Sequence, residues 1–418
     1  MHRDCPANFV LAGYLFAVLA LSASCARDER IEGIPGNKIS AARLDSFLES
    51  KMKELSVPGL SMAVINDGKV VHHRAMGFAN AEQKLPVTDK TIFEGASLSK
   101  SVFAFFVMTY VDQGKLDLDK PLYEYYPYSD IAYDERYKKI TARMVLSHRS
   151  GFPNWRTDEG DDVLKIKFEP GTGYLYSGEG YQYLAMVLRE IEGTDWKGLQ
   201  AIFQERVGHP IALEHTVFIQ TPYTISYKAE PHDGNGKRIE KEDEYDSANA
   251  EFGAAYSIHT ESLDFSKWMI AVMNEELLSE ASYAELFKPH SDVSSGVLDV
   301  DYSLGFLVPR FPFAEDIYLH AGHNSGFTCW FALDVEKDNG FVIFTNSDSG
   351  EQLGEDLLYF MMTGLTTPQL LVVGIALAVI FLFGVGFLIW FAIRKWRRRG
   401  GTGRLPDYGS LFKHPKVF

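Results

Sequence analysis

Ser97-Leu98-Ser99-Lys100 sets a hydroxyl and an amine three residues apart. On a helix the first and fourth residues share a face, so the amine can reach the hydroxyl and take its proton, the chemistry of a nucleophilic serine in acyl transfer. The same spacing recurs at Ser50-Lys51-Met52-Lys53 and Ser410-Leu411-Phe412-Lys413, so the pattern alone singles out no site. Position does. Ser50 falls within an amphipathic segment and Ser410 in a basic tail, whereas Ser97 opens a run, Val102 to Val111, that is almost wholly apolar. Burial there lowers a lysine from its ordinary value of about 10.4 toward a useful base, and a helix N-terminus favours a developing oxyanion. The competing reading of Ser97 is a helix N-cap, whose oxygen accepts a backbone N–H and does no chemistry.

The elements that must position these groups follow from periodicity. Leu44, Phe47, Leu48, Met52 and Leu55 keep helical spacing, which predicts an amphipathic helix over Ser40 to Leu55. Strand-like runs at Gly59 to Ile65 and Lys69 to His73 flank Asn66-Asp67-Gly68, a hairpin signal. A second hairpin is predicted around Lys337-Asp338-Asn339-Gly340, between Phe327 to Leu333 and Gly340 to Thr345. The helix that starts near Ser97 is expected to stop at Gly114. One strand pair therefore opens the fold and another closes it, with helices between. The expected class is α+β, an antiparallel sheet built from both ends of the chain, flanked by helices and carrying an embedded helical lobe.

The chain has 418 residues, 46% hydrophobic and 23% charged, which excludes a disordered or fibrous protein. Its net charge of -15 divides unevenly: residues 394 to 418 hold eight Lys/Arg against one acid, Asp407, a tail of +7 on a body of -22. An acidic body argues against nucleic acid as a partner. Cys5, Cys25 and Cys329 are too few for a disulfide scaffold or a four-thiolate zinc site, and the histidines, His72 and His73 included, show no metal-ligand spacing. Gly171-Thr172-Gly173 lacks the strand-to-helix setting of a nucleotide loop, so no cofactor is expected.

Residues 1–26 read as an export signal: Arg3, an apolar run from Phe9 to Leu21, then Ser22, Ala23 and Ser24 before Cys25, a candidate lipid acceptor. From Leu370 to Ile393 no residue is charged, and these 24 positions rise about 36 Å as a helix, enough to span a bilayer. Arg394, Lys395, Arg397, Arg398 and Arg399 follow at once, which places residues 394–418 in the cytoplasm by the positive-inside bias. The expected organisation is a signal (1–26), an extracytoplasmic domain (27–365), a spanning helix (370–393) in contact with membrane lipid, and a basic tail. Such a protein sits in the inner membrane with its domain in the periplasm or outside the cell.

Ordered motifs then carry a resemblance. They run from Val57-Pro58-Gly59 through Pro86-Val87-Thr88 and Gly95-Ala96-Ser97-Leu98-Ser99-Lys100 to Gly114-Lys115-Leu116-Asp117-Leu118 and Leu146-Ser147-His148-Arg149-Ser150-Gly151. They resume at Pro170-Gly171-Thr172, Tyr174-Leu175-Tyr176-Ser177, Tyr302-Ser303-Leu304-Gly305 and His320-Ala321-Gly322. Over most of residues 40 to 350 the chain resembles the serine β-lactamase-related family, which includes class C β-lactamases, penicillin-binding proteins of the D-alanyl-D-alanine carboxypeptidase type and related esterases. The resemblance implies Ser97 as nucleophile and Lys100 as its base. It implies Tyr176, at the position of a Y-x-N motif, as a proton carrier. It also implies an oxyanion hole from the backbone N–H groups of Ser97 and His323, with Gly322 letting substrate lie close to an edge strand. His320, where β-lactamases carry the lysine of K-T-G, would supply a hydrogen bond near Tyr176 and Lys100 without that fixed charge. His148 is expected to shape the fold beneath the site.

This chain departs from the pattern at Gly178, which replaces the asparagine that contacts the substrate amide in relatives. Glu179 beside it reads as a solvated or capping residue, and Trp155 and Arg156 as cleft lining or exposed loop. The function implied is a membrane-anchored serine hydrolase acting through an acyl-enzyme on esters or D-amino-acid-type peptides of the cell envelope. Two alternatives stand beside it: a β-lactamase or penicillin-binding protein acylated by β-lactams, and a non-catalytic member that binds envelope ligands. The substrate partner is a small molecule or peptide, and oligomeric state is left open.

Overall fold

The computed structural model describes residues 30–241, 250–293, 299–311 and 316–398. The export signal, Cys25, Ser410 and the tail beyond Arg398 lie outside the described residues. The chain divides into two compact units, one ending at Gly364 and one beginning at Leu365.

The centre of the first unit is a nine-stranded antiparallel sheet. In chain order its strands are β1 (Gly59–Asn66), β2 (Lys69–Asn80), β3 (Leu85–Pro86), β4 (Ser291–Asp292), β5 (Val300–Tyr302), β6 (Leu307–Pro309), β7 (Ile317–Asn324), β8 (Phe327–Asp334) and β9 (Asn339–Thr345). Across the sheet they run β3-β2-β1-β9-β8-β7-β6-β5-β4, so the first and last strands are neighbours. Their register, Gly340↔Ile65 through Thr345↔Leu60, joins the two ends of the unit at the middle of the sheet. Asp67 and Gly68 both take positive φ (49° and 66°), the backbone of the two-residue turn expected between β1 and β2. Strand β2 runs on past the expected end at His73 to Asn80 and passes through Gly77, where a Cβ would lie 2.0 Å from the Pro58 carbonyl oxygen, so only glycine allows that approach.

Period-2 alternation divides the core between the two faces of the sheet. Leu60, Met62 and Val64 of β1, with Phe341 and Ile343 of β9, pack under helices α1 (Ala41–Leu55) and α5 (Gly350–Thr363), where the rings of Phe47 and Phe360 stack at 4.5 Å. On the other face Ala63, Ile65, Val342 and Phe344 meet the helical lobe. Its central member, α2 (Leu98–Asp112), is buried continuously from Leu98 to Tyr110, flanked by α3 (Gly178–Glu192) and α4 (Ser262–Met273). A helix apolar on every side has no solvent face, so α2 occupies the middle of the domain and holds its first turn firmly. In the second unit one helix, α6 (Thr367–Arg398), is long and apolar enough over Thr367–Lys395 to cross a membrane.

Candidate active site

A two-residue strand pair, Phe93–Glu94 with His259–Thr260, leads into the nucleophile turn. Ala96, fully buried, is held at φ +40°, an uncommon conformation for a residue with a side chain. Ser97 follows at the N-cap position of α2, yet its side chain makes no capping hydrogen bond. Instead its Oγ lies 3.2 Å from Lys100 Nζ. Ser99, between them, locks the turn: its hydroxyl donates to the Ala96 carbonyl (2.5 Å) and accepts the Ile258 N–H (2.9 Å). Lys100 is 1% exposed and donates to the Ala255 carbonyl at 2.9 Å, and no carboxylate among the described residues is paired to it. Burial alone brings its ammonium down to about 7.

Tyr176 precedes α3, whose N-cap Ser177 accepts the Gly180 N–H at 2.9 Å. The Ser97 side chain beside the Tyr176 phenol pulls its pKa down, and Lys100 Nζ stands 4.5 Å from its ring centroid. Burial outweighs the effect of Ser97 and raises the phenol above its ordinary value, so it stays protonated at neutral pH. His148 clamps this tyrosine from both sides: its carbonyl accepts the Leu175 N–H (2.9 Å) and its Nδ1 the Ser177 N–H (3.0 Å). The two rings lie 4.3 Å apart. His148 takes φ +58°, which asparagine tolerates far better than alanine does. His148→Ala is therefore expected to lower kcat about 10- to 100-fold with little change in KM, because a catalytic group is misplaced while the substrate-binding surface is kept. His148→Asn, whose Oδ1 can replace Nδ1 as acceptor, should recover most of the loss; equal damage from both variants on ester turnover contradicts the clamp.

His320, Gly322 and His323 lie on β7, beyond the one register pair, Leu307↔Leu319, that joins β7 to β6. A Cβ on Gly322 would sit 2.6 Å from Cys329 Sγ and 2.9 Å from the Ser97 nitrogen, so the strand backbone presses against the nucleophile turn. The backbones bearing the Ser97 and His323 N–H groups thus run side by side. The His323 side chain is 49% exposed and turns away to Asp348, at 3.1 Å. His320 differs from expectation. Its Nδ1 lies 2.7 Å from the Ala321 carbonyl oxygen and its Nε2 3.1 Å from the Tyr302 hydroxyl, which assigns the proton to Nδ1 and makes Tyr302 the donor to Nε2. Both ring nitrogens are engaged inside the protein, so His320 offers no hydrogen bond to Tyr176 or Lys100. Burial and nearby Lys100 push its imidazolium down to about 3, so the ring is neutral at every working pH.

Gly178 has its side-chain space filled. A Cβ there would lie 2.6 to 2.9 Å from three carbons of the Trp155 ring. Glu179 is neither solvated nor the N-cap of α3: it is 7% exposed and binds Arg156 three times, through its backbone N–H (3.0 Å), Nε (2.9 Å) and a terminal nitrogen (2.8 Å). Asp130 (2.7 Å) and the Tyr128 hydroxyl (2.6 Å) complete the guanidinium's partners, so Arg156 is a fixed strut rather than an exposed loop residue.

Two clefts of opposite character flank these groups. One, of about 480 Å³, is lined by Tyr256, Asn324, Lys228, Lys241 and Glu94 among others. Burial raises the Glu94 carboxyl, but Lys228 and Lys241 outweigh it and bring the group down to about 2. The other, of about 690 Å³, is walled by Pro153, Phe168, Tyr174, Leu175 and Tyr176. Ala255, Tyr302 and Glu94 were not legible as site residues, since a backbone carbonyl, a buried phenol and a carboxylate carry no local pattern. Tyr302 alone had a signal, its place in Tyr302-Ser303-Leu304-Gly305.

A family model described as Beta-lactamase matches residues 44–363. The chain belongs to the beta-lactamase family. Among curated relatives, protein flp of Staphylococcus aureus (strain MW2) is 22% identical over 333 residues, which cover 74% of this chain and 64% of flp. The chain therefore spans less than two thirds of that relative. A putative penicillin-binding protein, PbpX of Bacillus subtilis (strain 168), is 23% identical, covering 74% of this chain and 75% of PbpX. Two solved structures share the fold. The octameric penicillin-binding protein homologue from Pyrococcus abyssi has a TM-score of 0.65 at 21% identity, covering 78% of each chain. The D-alanine carboxypeptidase AmpC from Burkholderia cenocepacia has a TM-score of 0.62 at 18% identity, covering 78% of this chain and all of that one.

Proposed function

We propose that this member of the beta-lactamase family is a membrane-anchored serine hydrolase, acting through an acyl-enzyme on esters or D-amino-acid-type peptides of the cell envelope. The observation that carries the reading is the state of Ser97. It occupies a capping position without capping, and its hydroxyl faces an amine that burial brings to about 7. The neutral Lys100 amine accepts the Ser97 proton as Oγ bonds to the substrate carbonyl carbon. The displaced electron pair rests on the carbonyl oxygen, held by the N–H groups of Ser97 and His323. Collapse breaks the bond to the leaving group, which takes its proton from the Tyr176 phenol, and Lys100 returns a proton to Tyr176. Water then attacks the acyl-enzyme, gives its proton to Lys100, and releases the acid as Ser97 Oγ is reprotonated. Anchoring is supported by the apolar helix Thr367–Lys395 with the basic cluster at its end.

A fluorophosphonate probe followed by peptide mass spectrometry tests this reading. Labelling is expected on Ser97 and lost in Ser97→Ala; a folded wild-type protein that stays unlabelled refutes it.

A further inference from the structure

We infer that Trp155, with Tyr256, determines specificity by forming an aromatic wall for the substrate's acyl group, so that the preferred substrates are esters of hydrophobic acids rather than peptides gripped by their amide. This rests on the serine-hydrolase reading above.

The wall begins at Gly178. The indole ring occupies the volume that any side chain at that position would take, with three ring carbons 2.6 to 2.9 Å from an ideal Cβ. Where relatives place an amide-bearing side chain two residues after the tyrosine, this protein therefore presents carbon. The same indole meets Tyr256 edge to face, with centroids 5.6 Å apart and planes at 84°. Tyr256 follows Ala255, whose carbonyl holds Lys100. The aromatic pair thus joins the segment that follows Tyr176 to the segment that anchors Lys100. Both rings are half-buried, and Tyr256 lines the cleft that also holds Glu94, Lys228 and Asn324.

The wall is also rigid. The Trp155 backbone N–H donates to Asp158 at 3.2 Å, and the next residue is the Arg156 strut tied to Glu179, Asp130 and Tyr128. Beside it lies the trough whose lining includes Pro153, Phe168 and Leu175 as well as Asn154, Asp158 and Lys167, and its apolar part gives a chain of several methylenes somewhere to go. An apolar chain laid on this surface gains with every group it buries, whereas a peptide amide loses its water there. A fixed ring lowers the ordering cost of that contact.

The test is the ratio of kcat/KM for p-nitrophenyl octanoate to that for p-nitrophenyl acetate, measured on the full chain in nanodiscs. The wild type is expected to favour octanoate at least about tenfold, and Trp155→Ala and Tyr256→Ala to reduce the ratio to within about twofold of unity. Trp155→Phe should keep an intermediate preference, and it carries the test if the alanine variant fails to take up a fluorophosphonate. A wild type that labels at Ser97 but shows no chain-length preference overturns the wall and leaves the hydrolase reading intact. An equal loss on both esters in Trp155→Ala and Tyr256→Ala also overturns it, because the rings are then only structural. A wild type inert to fluorophosphonate and to every ester sinks both readings.

Discussion

Lys100→Met is expected to lower kcat/KM for ester hydrolysis by about three orders of magnitude and, at the same time, to raise the thermal unfolding midpoint at pH 7. Both follow from one fact: the amine is buried without an anionic partner among the described residues, and burial moves it from 10.5 to about 7. The base must be unprotonated to act, so wild-type acylation should rise with pH through about 7 and level off above it. His320, neutral down to about 3, adds no second limb in that range. For stability, the pKa is lower in the folded state than in the unfolded one. Between the two values the unfolded chain binds the extra proton, so wild-type stability climbs as pH rises from about 7 toward 10.5. The advantage of Lys100→Met is then a few kcal/mol at pH 7 and shrinks toward pH 10.5. Thermal melts and ester kinetics over the same pH series measure both; a flat wild-type rate profile from about pH 5 to 9 contradicts the role given to Lys100.

Glu179→Ala should destabilise the domain by about 3 kcal/mol, the range for breaking a buried ion pair from one side. The side chains of Glu179 and Arg156 are 9% and 21% exposed, and the loss leaves the guanidinium, which Glu179 holds through two nitrogens, without its buried carboxylate. Asp130, the other acid on Arg156, is 45% exposed, so Asp130→Ala should cost less than about 1 kcal/mol. Urea unfolding of the two variants compares them directly, and similar losses would mean that burial does not separate the pairs. Because Arg156 follows Trp155, Glu179→Ala should also reduce the octanoate preference.

How much of this was legible depends on how local each cause is. The Ser97–Lys100 pair could be read because both groups sit on one helical turn, and an apolar run marked that helix as buried. The hairpin at Asp67-Gly68 was legible for the same reason, since its two positive φ values are a demand on two adjacent residues. Glu179 was misread because its partner lies 23 residues away, on an irregular segment with no periodicity. His148 looked structural in sequence, but nothing in sequence says that it reaches the N–H groups on both sides of Tyr176. Gly178 read as a missing amide side chain, and only three dimensions show that Trp155 fills the space.

By itself the sequence determined the first helix, the two hairpins that open and close the sheet, the turn that carries the nucleophile and the uneven charge of body and tail. Those properties depend on neighbours within a few residues, or on composition. The tertiary structure decided that the Ser97 hydroxyl faces Lys100 instead of capping its helix, that His320 turns its nitrogens to Tyr302 and its own strand, and that an indole stands over Gly178. The physical reason is that each outcome depends on burial and on atoms from distant segments, and these meet only when both ends of the chain close the sheet around α2.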